Sequence, residues 1–254
     1  MTPEMLRNYI KYCNICCNHD GSSTMDLVSY GFFYPTTLLP LLTFLKNHSL
    51  KAIVDPRVHG YVSTLLNPSR STTRSYIPFR EFYPHNKLKR DKALLELTDL
   101  LDLDYGGLSA VEYLTYELTE NMYKHSSFKN ASIMAQRYPS KNFTEICFVD
   151  DGVSIPGNFS RCGLDFVDDA DAIEQAVNGV STQGEFNHRG WGLNNIVKMY
   201  KEANGEIFIA SRRGAIYLSS NETNLYPLNN KYNMVGTLIS LRIPKVKVDT
   251  SSYR

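Results

Sequence analysis

Ser109 to His125 reads SAVEYLTYELTENMYKH, and the rest of the chain is organised around this stretch. Ser109 followed three residues later by Glu112 is a capping box, which predicts a helix start. Val111, Leu114, Leu118 and Met122 recur at three- and four-residue steps as an apolar stripe. Glu117, Asn121 and His125 stand four apart, so at 3.6 residues per turn they form a second row along the edge of that stripe. A carboxylate, an amide and an imidazole are thereby aligned at the border of a core. While the helix is considered alone, a solvated helix face is the better account of such a row.

Composition narrows the setting without naming an activity. The chain has 254 residues, 43% hydrophobic and 21% charged, enough for a sizeable core and one or two domains. A formal charge of +1 gives no reason to expect nucleic acid or an anionic membrane as partner. Five cysteines, an odd number, do not form a disulfide framework. Cys13, Cys16, Cys17 and His19 invite a zinc site, but no second ligand pair follows at zinc-finger spacing. Leu6, Tyr9, Ile10, Cys13, Cys16 and Cys17 also fit one face of an amphipathic helix. The start of the chain does not read as a signal peptide, so a reducing cytoplasm is the expected compartment.

Leu27 to Leu45 runs without a charge, close to a membrane-spanning length. Pro35 and Pro40 interrupt it, and Ser29, Thr36, Thr37 and Thr43 add polarity. A buried strand through Val28–Tyr34 and a helix through Leu38–Lys46 account for the same pattern in a soluble protein. With Lys51–Val54 as a further strand and Tyr61–Leu66 as a short helix, the order suggests a small α/β unit. In pattern it resembles the STAS domains of bacterial anti-anti-sigma factors, in which a strand runs through a proline into a helix. No catalytic constellation shows there, which fits an interaction domain over residues 1–80. Asn67–Tyr76 reads as a linker or exposed loop, and Lys87–Leu101 as a helix with Leu88, Leu94, Leu95, Leu97, Leu100 and Leu101 as its apolar positions.

Beyond His125, Ser132–Tyr138 and Phe143–Val149 read as a strand pair ending in Asp150-Asp151-Gly152-Val153-Ser154. A carboxylate at the end of a buried strand, before a glycine bend, can accept a hydrogen bond from an amino group. Asp168, Asp169 and Asp171 open a further helix, where acids suit the positive end of the dipole. Ser181-Thr182-Gln183-Gly184-Glu185 is polar. Gly190-Trp191-Gly192-Leu193 then precedes a helix, and glycines there allow an anion to approach unpaired amides. Glu206–Ser211, Ala215–Ser220 and Thr237–Ile243 read as antiparallel strands, and Asn221–Asn233 as a polar loop.

Each of these features is weak alone, but their order is distinctive. Glu117-x-x-x-Asn121 on a helix, Asp150-x-Gly152 after a strand, Gly190-x-Gly192-Leu193 before a helix and Gly236-Thr237 at a strand resemble the Bergerat-fold ATPases. That superfamily includes gyrase B, MutL proteins, large heat-shock chaperones and histidine kinases, and the resemblance covers residues 105–244. It implies an α+β chain with a C-terminal two-layer α/β sandwich and a mostly antiparallel sheet. Residues 81–254 would be a histidine-kinase-like ATPase domain taking ATP and Mg2+. By the same resemblance Asn121 would coordinate magnesium and Glu117 would orient or deprotonate the attacking water. Lys124 and His125 would meet phosphates. Asp150 would receive the adenine amino group, with Gly152 letting the base approach and Thr237 supporting it. Ser181 to His188, with Thr182, would form a lid, and Gly190, Gly192 and the Leu193 amide would hold phosphates.

Departures accompany the match. Ser154 stands where the second glycine of Asp-x-Gly-x-Gly is usual, and no phosphoacceptor-histidine helix is evident. The expected function is a regulatory ATP-dependent switch with slow or partner-stimulated hydrolysis, acting on a protein partner. A serine/threonine kinase of the anti-sigma type and a nucleotide-gated interaction module without turnover are the alternatives.

Overall fold

In a computed structural model, residues 2–57, 59, 60, 62, 75–101, 108–180, 182 and 192–246 are described, with the side chains of 108–111 excepted. Helices α1 (Glu4–Cys17) and α2 (Pro35–Asn47) flank strand β1 (Thr24–Asp26), and β2 (Lys51–Ile53) follows α2. Next come β3 (Tyr76–Phe82), α3 (Lys87–Leu101) and α4 (Leu108–Asn121), the helix that opened the sequence reading. After it run β4 (Ala131–Tyr138), β5 (Phe143–Asp150), α5 (Ile155–Cys162), α6 (Asp169–Val177) and α7 (Gly192–Glu202). Strands β6 (Glu206–Arg212), β7 (Gly214–Leu218), β8 (Thr223–Pro227) and β9 (Met234–Pro244) complete the order.

The architecture is mixed α+β, with a seven-stranded antiparallel sheet in the order β3-β4-β5-β9-β6-β7-β8. Strand β5 is buried along nearly its whole length because both of its faces are covered. Side chains alternate across a strand, so Ile146 and Phe148 face one way while Cys147 and Val149 face the other. The first set joins a core with α3, α4, α6 and α7, including Leu97, Leu114, Leu118, Ile173 and Ile196. The second set joins Met5, Tyr9, Leu38, Leu41 and Leu42 of α1 and α2. The sheet is therefore the middle of three layers: it makes two with the helices that follow residue 80, and α1 and α2 add a third on its other face.

This packing also bears on the expected domain boundary. Residue 80 lies inside β3, which pairs with β4, so the proposed break cuts a strand of the main sheet. The helices before it share a buried cluster with β4, β5, β6, β7 and β9. A buried ion cluster fastens them. Glu145 of β5 is fully buried and accepts from the Thr36 backbone amide (2.9 Å) and hydroxyl (2.7 Å) at the start of α2. Its other oxygen accepts from Arg242 Nε at 2.9 Å, and Arg242 also pairs with Glu4 of α1 at 2.7 Å.

Several local expectations change. Val28–Tyr34 is not a strand. A 3₁₀ turn covers Val28–Tyr30, and the strand lies earlier at Thr24–Asp26, pairing in parallel with β2. Gly31, at φ 62°, breaks the extended path. The polar stretch Asn221–Asn233 contains edge strand β8 and a 3₁₀ turn, and β8 alternates exposed and half-buried residues. Leu88 and Leu95 of α3 are exposed, because only Ala93, Leu97, Leu100 and Leu101 point at the sheet. Strand β3 and helix α5 had no counterpart in the expectations. Tyr61–Leu66 lies outside the described residues except for Val62. No described helix is long and apolar enough to cross a membrane.

Candidate functional site

Helix α4 does not end as an α-helix. It runs into a π-helical turn over Met122–Ser126, a feature that often accompanies functional sites because it re-aims side chains. The extra residue in that turn puts Ser126 beside His125 on the wall of a cleft, with Leu118, Asn121 and Met122 above them. Ser154, Ile155, Asn158 and Phe159 of the β5–α5 junction line it too, and Asp150, Thr237, Ile239, Ala176, Val180, Thr182, Gly192 and Leu193 complete the lining. Its empty volume, open solvent at the mouth included, is about 830 Å³.

Register explains the place of Asp150. Asp150 is the last residue of β5 and stands directly opposite Thr237 of β9. Its Oδ1 accepts from the Gly152 amide at 2.8 Å. The residue is 2% exposed, and burial pushes its pKa up to about 7 against the pull of that amide. Asp151 does different work. Its oxygens accept from the Lys129 amide (2.7 Å), the Asn130 amide (2.9 Å) and Asn130 Nδ2 (2.7 Å), which ties the β4 entrance to the β5 exit. The two adjacent acids are thus a cleft residue and a structural residue. Gly152 is not in the cleft lining; a Cβ there would fall 2.3 Å from the Ser126 carbonyl oxygen, so glycine lets β5 pass the π turn.

Ser154 sits at φ 72°, ψ 163°, a conformation that glycine adopts and L-residues avoid. Glycine would hold this backbone conformation without the strain that serine meets there. The serine hydroxyl caps α5 by accepting from the Gly157 amide at 3.0 Å. Ser211 links this loop to β9. Its hydroxyl accepts from the Ile155 amide at 3.0 Å and lies 3.1 Å from Thr237 Oγ1.

Glu117, Asn121 and Gly192 come together. A Cβ on Gly192 would lie 2.3 Å from Glu117 Oε2 and 3.5 Å from Asn121 Nδ2, so the first turn of α7 rests against these two side chains. His125 Nδ1 lies 3.0 Å from Thr182 Oγ1, which also accepts from Asn158 Nδ2 at 2.8 Å. Burial, then Lys124 and Arg161, hold the His125 pKa below its ordinary value. A neutral imidazole can therefore accept the Thr182 hydroxyl proton at Nδ1. Lys124 lies outside the lining and pairs with Glu120 at 3.3 Å. Ser181 and Gly190 lie outside the described residues.

Sequence reasoning missed Ser126, Asn158 and Phe159. The signal for α5 was present, since Ser154 followed by Pro156 is a cap-then-proline helix start. No protein-family model, curated protein or solved structure matches the chain.

Proposed function

We propose that the chain binds Mg-ATP in this cleft with a Bergerat-type arrangement and uses the bound nucleotide as a regulatory switch toward a protein partner. One observation carries the reading: a buried carboxylate, Asp150, and a phosphate-compatible group, Asn121 with Gly192 and Leu193, line one and the same cleft. Asp150 would accept the adenine amino group, and the apolar side chains of Met122, Ile155 and Phe159 would flank the base. The amides at the start of α7 would meet the phosphates, as unpaired helix amides do with anions.

Among the described residues no three His, Cys, Asp or Glu side chains gather to hold a metal alone. Magnesium brought by a nucleotide needs only one or two protein oxygens besides phosphate, and Asn121 offers one. The metal would neutralise phosphate charge. Glu117, which lies against Gly192, would orient a water near the phosphates. Calorimetric titration of the intact protein with ATP and magnesium tests the proposal. Micromolar binding that Asp150→Asn weakens is expected; no binding, or binding unchanged in that variant, overturns it.

A further inference from the structure

The placement of Lys124 carries a consequence for nucleotide affinity, and it rests on the function just proposed. His125 and Lys124 are neighbours in the π turn, yet His125 lines the cleft while the Lys124 ammonium is held by Glu120 on the outer side of α4. The holding carboxylate is shared. Glu120 Oε2 takes Lys124 at 3.3 Å, and Oε1 takes Arg90 Nη1 of α3 at 3.0 Å. Arg90 in turn pairs with Asp91 at 2.8 Å and lies over the Tyr123 ring at 5.1 Å. The Tyr123 hydroxyl donates to the Tyr83 carbonyl at 3.1 Å, so this side of the turn is braced.

We propose that Glu120, braced by Arg90, is a positioning residue that holds Lys124 away from the cleft and so lowers the affinity of the site for a phosphate chain. Two features make the arrangement a switch. Lys124 can leave without orphaning the carboxylate, because Arg90 still satisfies Glu120, so its transfer to a phosphate costs little. Glu120 also immediately precedes Asn121, so its charge repels a polyphosphate until Arg90 and Lys124 screen it. A movement of α3 that carries Arg90 away would leave Lys124 as the single cation on Glu120 and lock it outward.

The test compares ATP and adenosine, which lacks phosphates, in calorimetric titrations of full-length wild type, Glu120→Gln, Arg90→Gln and Glu120→Gln/Lys124→Met. Glu120→Gln should tighten ATP binding about three- to tenfold and leave adenosine unchanged. Arg90→Gln should weaken ATP binding, and the double variant should lose the gain. Opposite signs at Glu120 and Arg90 distinguish the device from a loss of folding, which weakens both ligands together. Wild type that binds ATP with Glu120→Gln no tighter, or a gain that survives Lys124→Met, overturns the inference alone. Wild type that binds neither ligand overturns the proposed function and the inference with it.

Discussion

Two residues at the head of the β5–α5 loop set conflicting demands. Ser154 takes a backbone conformation that costs an L-residue about 1–3 kcal/mol, while its hydroxyl caps α5. Replacing a serine cap by glycine costs only a few tenths of a kcal/mol, so relief of the backbone outweighs the lost cap. Ser154→Gly is expected to raise stability by about 1 kcal/mol in urea unfolding; a lower midpoint would show that the hydroxyl matters more than the φ angle. Asp150 gives the pH counterpart. Its folded pKa of about 7 stands above the ordinary 3.8, so the folded chain keeps a proton that the unfolded chain releases. Stability attributable to this residue is full below about pH 4, falls as pH rises to 7, and stays lost above it. The span is on the order of 4 kcal/mol. Asp150→Asn cannot titrate, so its melting temperature should overtake wild type between pH 5 and 8. Parallel curves for the two proteins would refute the burial argument.

At the scale of elements, what was legible followed the periodicities that carry the most information. Helix α4 was found because Leu114, Leu118 and Met122 repeat at helical spacing and all three are buried. Asp150, Gly192 and Thr237 were found from an order of motifs that local geometry does not supply. Strand β8 was missed because an edge strand with one half-exposed face carries polar residues like a loop's. The role of Glu145 was invisible for another reason: a glutamate in a strand looks solvent-facing until its partners, distant in sequence, are placed. Those partners fasten α2 to the sheet through Thr36 and Arg242. Removing one side of a buried ion pair costs about 3–5 kcal/mol. Glu145→Ala should approach that loss in denaturant unfolding, since it removes the fully buried partner of Arg242 Nε and leaves the guanidinium only Glu4 and Glu206. Thr36→Val, which keeps the backbone donor, should lose about 1–3 kcal/mol. Equal losses from the two would mean that the Thr36 hydroxyl holds the carboxylate as strongly as all its other contacts together.

Over the whole molecule, the question is whether the cleft belongs to a part that stands alone. The sequence divides the chain near residue 80, which would make 81–254 a self-sufficient unit. The packing argues otherwise. Met5, Tyr9, Leu38, Leu39 and Leu41 have no exposed surface, and they cover Cys147, Val149, Phe208, Ala210 and Leu238 on the sheet face opposite the cleft. Each such apolar side chain contributes about 1.5–3 kcal/mol on burial. Five of them together match the ~5–15 kcal/mol by which a typical domain is stable. A chain starting at residue 81 would also lose most of β3, expose the β4 edge and leave Glu145 without Thr36. The 81–254 fragment is therefore expected to aggregate or to unfold without a cooperative transition, although it keeps every cleft-lining residue. Supplying residues 1–80 as a separate chain should restore solubility and a sigmoidal melt if the two parts form one core. A soluble 81–254 fragment that melts cooperatively at the full-length temperature would instead restore the boundary near residue 80 and make the N-terminal helices a cover rather than a wall of the fold.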